Sequence, residues 1–234
     1  MRNQTASVAI FLCATSAVAG PVLDAAYTAA DSTGNVTVRS DNSLAQTFTV
    51  QNTGALVSLG VLVSEAFPGP TVPDLTMSLV DVTGGGLPST NVLWSSNIAA
   101  SSIPSTGTFD MKWLDVGLAV QVTAGQRLAI VLSSLGSNNP YYWNGDLDWP
   151  LFNLPAGTYA DGIGLANRGS GWGRLILCNT TCSGGNVDYS FRTSVDTSIS
   201  PTSNVPEPGS LALVGAALFG LAASRRRPPA VPAA

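Results

Sequence analysis

The chain has 234 residues, of which only 10% are charged, against about 25% in an average soluble domain. It contains no histidine, which removes His-bearing catalytic triads and the commonest zinc ligand. Between Gly20 and Val205, six basic residues face thirteen acidic ones, a net charge of −7, so phosphate backbones are repelled and nucleic acid is not an expected partner.

In chain order, the N-terminus carries Arg2, an apolar run beginning at Val8-Ala9-Ile10-Phe11-Leu12, and Ala17-Val18-Ala19. A basic start, a short apolar core and an A-x-A site predict a secretory signal peptide over residues 1–19, cut after Ala19 by signal peptidase. The apolar part is too short to span a bilayer. The bulky Leu12 before Cys13 does not suit lipoprotein processing.

From Pro21 to Asn42 the sequence predicts a leading loop, with an edge strand at Val36 to Arg39. Beyond it, apolar runs and turn clusters alternate about every ten residues. Expected strands are Leu44–Val50, Ala55–Val63, Leu75–Val82, Val92–Ile98, Thr108–Val116, Leu118–Val122, Arg127–Leu132, Thr158–Leu165, Trp172–Cys178 and Val187–Thr193. Between Val122 and Arg127 a tight turn is expected at Ala124-Gly125. No window sustains a 3.6-residue period for a dozen residues. Many short strands separated by Gly, Pro, Asn and Ser predict an all-β fold, a single β-sandwich of jelly-roll type over residues 20–193.

The densest polar-aromatic cluster is Tyr141-Tyr142-Trp143-Asn144-Gly145-Asp146-Leu147-Asp148-Trp149. Flat rings beside carboxylates and amides suit sugar contact, with Tyr142, Trp143 and Trp149 as stacking faces. Asn144, Asp146 and Asp148 alternate, so their oxygens could also share one side of a loop and hold calcium. The calcium pattern lacks a sixth-position glycine and a closing glutamate. The plain reading is a surface turn whose aromatics pack onto the sandwich.

Catalytic motifs are missing: there is no G-x-S-x-G, H-E-x-x-H or P-loop. Glu65 is the one body glutamate. Asp110 and Asp115 stand at odd spacing, which places them on opposite faces of a strand. The body is therefore expected to be non-enzymatic. In an exported chain, Cys178 and Cys182 read as a disulfide; two thiolates alone do not complete a zinc shell.

A Ser/Thr-rich linker over residues 194–204 leads to Val205-Pro206-Glu207-Pro208, an uncharged stretch Gly209–Ser224, the cluster Arg225-Arg226-Arg227, and a tail over residues 228–234. Sixteen helical residues would cover about 24 Å, somewhat less than the ~30 Å hydrocarbon core, and read as a short membrane helix, with the arginines favouring a cytoplasmic C-terminus. Prolines 206 and 208 disfavour helical continuation upstream.

Taken in this order and at this spacing, the motif, the apolar segment and the arginines over residues 205–227 resemble the PEP-CTERM sorting domain. The resemblance implies recognition by exosortase in a Gram-negative bacterium that makes extracellular polysaccharide. It implies an inner-membrane intermediate and a final place at the cell surface or in the extracellular matrix. It implies nothing about the body. The segment Val120–Leu132 also resembles one found in jelly-roll sandwiches of exported proteins, many of which bear PEP-CTERM tails. The expected function is thus a sorted surface protein with a non-catalytic body in contact with polysaccharide. A secreted carbohydrate-active enzyme and a purely structural envelope protein are the alternatives.

Overall fold

The structure is a computed structural model that describes residues 20–29, 35–66, 72–103, 111–136, 140–146, 159–174, 187–198 and 217. The chain divides into a unit Met1–Ile199 and a unit Ser200–Ala234. Ala217 is the one described residue of the second.

The first unit is built from two antiparallel sheets. One contains β3 (Ser43–Thr49), β5 (Leu75–Val82), β6 (Pro88–Ile98), β8 (Arg127–Ser134), β10 (Gly164–Asn167) and β11 (Trp172–Arg174), in the order β11-β10-β3-β8-β5-β6. The other contains β1 (Val22–Tyr27), β2 (Asn35–Val38), β4 (Gly54–Glu65), β7 (Lys112–Val122), β9 (Tyr141–Asp146), β12 (Asp188–Tyr189) and β13 (Phe191–Asp196). A 3₁₀ turn, Ala100–Ser102, lies between β6 and β7.

Both sheets contribute to one hydrophobic cluster. Leu44 and Phe48 of β3, Met77 and Leu79 of β5, and Ile130 and Leu132 of β8 supply one side; Leu56, Val61 and Val63 of β4, Trp143 of β9, and Phe191 and Val195 of β13 supply the other. The Phe48 and Phe191 rings meet across the sheets at 5.5 Å. Register explains the rows: Leu44 pairs with Leu132 and Leu132 with Met77, while Gln46 pairs with Ile130 and Ile130 with Leu79. Gln46 is therefore a polar side chain placed in an apolar row, fully buried and directed toward the second sheet.

Most expected strands are present. The Ala124-Gly125 turn forms as anticipated, with Gln126 N donating to Thr123 O at 2.9 Å and Gly125 at φ +85°, where only glycine is free of strain. Thr108–Val116 and Leu118–Val122 fuse into the single strand β7, which begins at Lys112; residues 108–110 lie outside the described residues. The strand expected at Thr158 begins only at Gly164. Ile163 instead binds sideways to Thr47, through Thr47 N to Ile163 O (3.0 Å) and Ile163 N to Thr47 Oγ1 (2.8 Å).

Three expectations are corrected. The leading loop contains β1, which pairs with β13 from Val22↔Val195 to Tyr27↔Phe191. It has no regular apolar alternation, because its inward positions are Asp24 and Ala25; the partner strand, not its own pattern, makes it a strand. β13 runs to Asp196, three residues into the expected linker. The polar-aromatic cluster begins as strand β9, not as a surface turn.

Candidate functional site

β9 becomes a strand because it is held by three neighbours. β2 pairs with it from Asn35↔Asn144 to Val38↔Tyr141, β4 from Val63↔Trp143 to Glu65↔Tyr141, and β12 through Asp188↔Asp146 and Tyr189↔Gly145. At Ser190 the chain crosses over: it leaves β9 and joins β4 as β13, where Phe191 pairs with Val61. Ser190 ties this fork together. Its N–H donates to Asn144 O (2.8 Å) and its O accepts from Trp143 Nε1 (2.9 Å). Its Oγ donates to Asn144 Oδ1 (2.5 Å) and accepts from Ala29 N (2.9 Å). Buried polar groups cost free energy unless paired, and here the N–H, O and Oγ of Ser190 all find partners.

This geometry overturns the sugar-platform reading of Trp143. Its ring is 0% exposed and stacks on Tyr189 at 4.6 Å, so it offers no face to a ligand. Tyr141 is equally buried, with its hydroxyl donating to Pro73 O at 2.6 Å. Tyr142 points the other way and is half-buried. Asn144 and Asp146 do share one face of β9, as their alternation requires. Asn144 is buried at the fork, however, and Asp146 Oδ2 accepts from the Tyr27 hydroxyl. Asp148 and Trp149 lie outside the described residues, as do Ala17, Ala19, Cys178, Cys182 and Asp110. Among the described residues no group of three or more His, Cys, Asp or Glu is arranged to hold a metal ion.

Beside the fork lies a polar link that the sequence reading did not single out. Asp188 of β12 is 1% exposed. Its Oδ1 accepts from Gln46 Nε2 (3.1 Å) and its Oδ2 from Tyr159 N (3.1 Å). Gln46 Oε1 in turn accepts from Tyr189 N (2.7 Å). One amide from β3 thus brackets the Asp188-Tyr189 dipeptide of the opposite sheet. Glycine makes the approach possible. Gly164 N donates to Val187 O at 2.7 Å, and a Cβ at Gly164 would stand 2.2 Å from that oxygen. The available signal was Gln46 itself, a long amide inside an apolar run.

Burial pushes the Asp188 carboxyl above its ordinary 3.8, partly offset by the Gln46 and Tyr159 hydrogen bonds. Burial likewise raises the phenols of Tyr141 and Tyr189, and pushes Tyr159 up to about 12. A carboxyl whose folded value is raised binds its proton more tightly in the native state. Its contribution to stability is full below pH 3.8 and is lost as pH rises through the folded value. The stability advantage of the wild type over Asp188→Asn is therefore expected to be larger at pH 4 than at pH 7 in parallel denaturant titrations. An advantage independent of pH would show that the carboxyl is not raised.

On the outer face of the same sheet, Asp115 of β7 and Arg192 of β13 form an ion pair across β4, with Arg192 Nε 2.8 Å from Asp115 Oδ1. Both residues register opposite Gly60, whose missing side chain leaves them room: a Cβ there would meet Asp115 Oδ1 at 2.3 Å. The Arg192 guanidinium also lies 4.4 Å above the Trp113 ring. Asp115 is engaged structurally rather than presented as half of a carboxylate pair.

The remaining candidate is the C-terminal segment. Val205, Pro206, Glu207, Pro208, Arg225, Arg226 and Arg227 lie outside the described residues. Residues 204–227 match the family model of the PEP-CTERM protein-sorting motif. The tail is a PEP-CTERM sorting signal. The match starts one residue before the expected Val205 and ends at Arg227, so it takes in the proline motif, the apolar stretch and the arginines. A PEP-CTERM tail implies processing by exosortase and export to the envelope or surface of a Gram-negative bacterium. No curated protein matches the chain. Among the described residues no helix is long and apolar enough to cross a membrane; the apolar stretch Gly209–Ser224 falls outside them except for Ala217.

Proposed function

We propose that this is a non-enzymatic surface or extracellular-matrix protein, exported by a signal peptide cut after Ala19 and released from the inner membrane by exosortase. Its body is a single jelly-roll-like β-sandwich, and Cys178 and Cys182 are joined in a disulfide. The PEP-CTERM match carries the reading. The lack of histidine supports a non-catalytic body, as does the engagement of Asp188, Asp146 and Asp115 in hydrogen bonds with Gln46, Tyr27 and Arg192.

Polysaccharide is the partner that suits the exposed chemistry. The β5–β6 pair carries an exposed ladder of uncharged hydrogen-bonding groups, Thr76 Oγ1 to Asn97 Oδ1 (2.9 Å) and Ser78 Oγ to Ser95 Oγ (2.8 Å). Hydroxyl and amide groups both donate and accept hydrogen bonds, the capacity that sugar hydroxyls require.

The test is the intact mass of the mature protein purified from its native host. The expected species has lost residues 1–19 and residues 209–234, is recovered outside the inner membrane, and is two hydrogens lighter than its reduced form. A mature protein that keeps Gly209–Arg227 in the membrane is a plain tail-anchored protein, and the reading fails.

A further inference from the structure

The two ends of the described body emerge side by side. Val22 at the start of β1 pairs with Val195 near the end of β13, and Asp196 pairs with Ala55. Beyond Asp196 the strand stops in an Asx turn, with Ser198 N and Oγ donating to Asp196 Oδ1 at 2.9 and 2.6 Å.

Three turns lie at that same end. Gly125 N donates to Val50 O (2.8 Å) and Ala124 N to Thr53 Oγ1 (3.0 Å), which joins turns 50–54 and 123–126. Gly86 approaches Arg127, which brings in turn 83–87. None of the three turns contains a charged residue; Arg127, Asp81 and Asp196 flank them. Among the described residues, whose large apolar side chains are mostly buried, Val22 (40%), Leu23 (65%) and Leu87 (36%) are exposed at this end.

Chain length restricts which end can meet a membrane. Gly209, where the apolar stretch begins, follows Asp196 by thirteen positions, at most about 45 Å of fully extended chain. The body is about 38 Å long along the twelve residues of β4. Laying its opposite end on the membrane would use nearly the whole tether to run back along the body, with the entropy loss that full extension carries. Resting the exit end on the membrane needs none of it.

We infer that the end formed by Val22, Leu23 and turns 50–54, 83–87 and 123–126 is a membrane-apposed surface, which contacts the zwitterionic headgroup layer until the tail is cut. Three aliphatic side chains dip into the interface beside turns that carry no charge of their own and whose N–H groups are bonded within the body, among others to Asp24 Oδ1, Val50 O and Thr53 Oγ1. The absence of lysine among the described residues of this end and the flanking carboxylates favour a zwitterionic over an anionic surface. This rests on the reading that the PEP-CTERM tail first inserts in the membrane.

The test replaces Leu23, Leu87 or Leu135 singly with a photoreactive benzoylphenylalanine in the chain from Gly20 to Ala234, signal peptide removed and sorting tail intact, mixed with phosphatidylcholine vesicles. Leu135 is 90% exposed and follows β8 at the opposite end. Lipid adducts, read by mass spectrometry, are expected to be several-fold more abundant at positions 23 and 87 than at 135. A chain that sediments with the vesicles but labels equally at all three sites, or most at 135, overturns the surface and leaves sorting intact. A chain that stays free of the vesicles overturns tail insertion itself, and this inference with it.

Discussion

A variant with Pro206, Glu207 and Pro208 replaced by alanine is expected to keep its tail and accumulate in the inner membrane, with no mature form detected. The two prolines act together through the backbone. Each lacks an N–H and fixes φ, and each pushes the preceding residue toward extended conformations. Glu207 between them is the one charge in residues 197–224. Three alanines remove that charge and join the best helix former to an apolar stretch that already favours a helix. An enzyme that reads an extended acidic motif above the membrane would then meet a longer helix instead. The effect should be all-or-none, because recognition precedes cleavage. Intact mass and fractionation beside the wild type decide it: normal processing of the variant would move recognition to the apolar segment or to Arg225–Arg227.

The strands that could be read from sequence were those whose own pattern carries their burial. Leu75–Val82 alternates, and it forms β5 with the expected bounds. Ala55–Val63 is almost continuously apolar, and it forms β4, which has neighbours on both edges. β1 and β9 were hidden for the opposite reason. Asn144, Gly145 and Asp146 are turn formers by intrinsic preference, and three neighbouring strands override it. Gly145 is the clearest case. As a turn signal it argues against a strand, yet in the fold its missing side chain makes room for the Tyr189 ring, which a Cβ would approach to 2.9 Å. Likewise a Trp beside Asn and Asp looks the same in sequence whether it faces a sugar or a core. Only the β2, β4 and β12 pairings decide the face, and those are non-local. The sorting tail needed no fold at all, since its proline motif, apolar length and arginine cluster are local properties of the chain.

Trp143→Ala is the body substitution expected to cost most. The ring is fully buried, stacks on Tyr189, and donates Nε1–H to Ser190 O at the crossover of the sheet. Removing a buried tryptophan side chain costs about 3–5 kcal/mol, a large part of the roughly 5–15 kcal/mol that holds a domain together. For a body of this size that is a fall of roughly 6–20 °C in melting temperature. Tyr142→Ala, next in sequence but half-buried on the other face, should cost less than about 1 kcal/mol. Trp143→Phe separates the two parts of the effect. It keeps an aromatic ring against Tyr189 but leaves Ser190 O with only Leu62 N, at 3.4 Å, among these donors, so an intermediate loss is expected. The contrast also tests where polysaccharide would bind. If Trp143→Ala left the melting temperature unchanged but released the protein from its matrix, the ring would be a contact residue and its burial at the fork would be wrong. If stability collapses with Trp143 while Tyr142→Ala folds normally, the core assignment stands, and any sugar contact must be sought on exposed surfaces such as the Thr76–Asn97 and Ser78–Ser95 ladder.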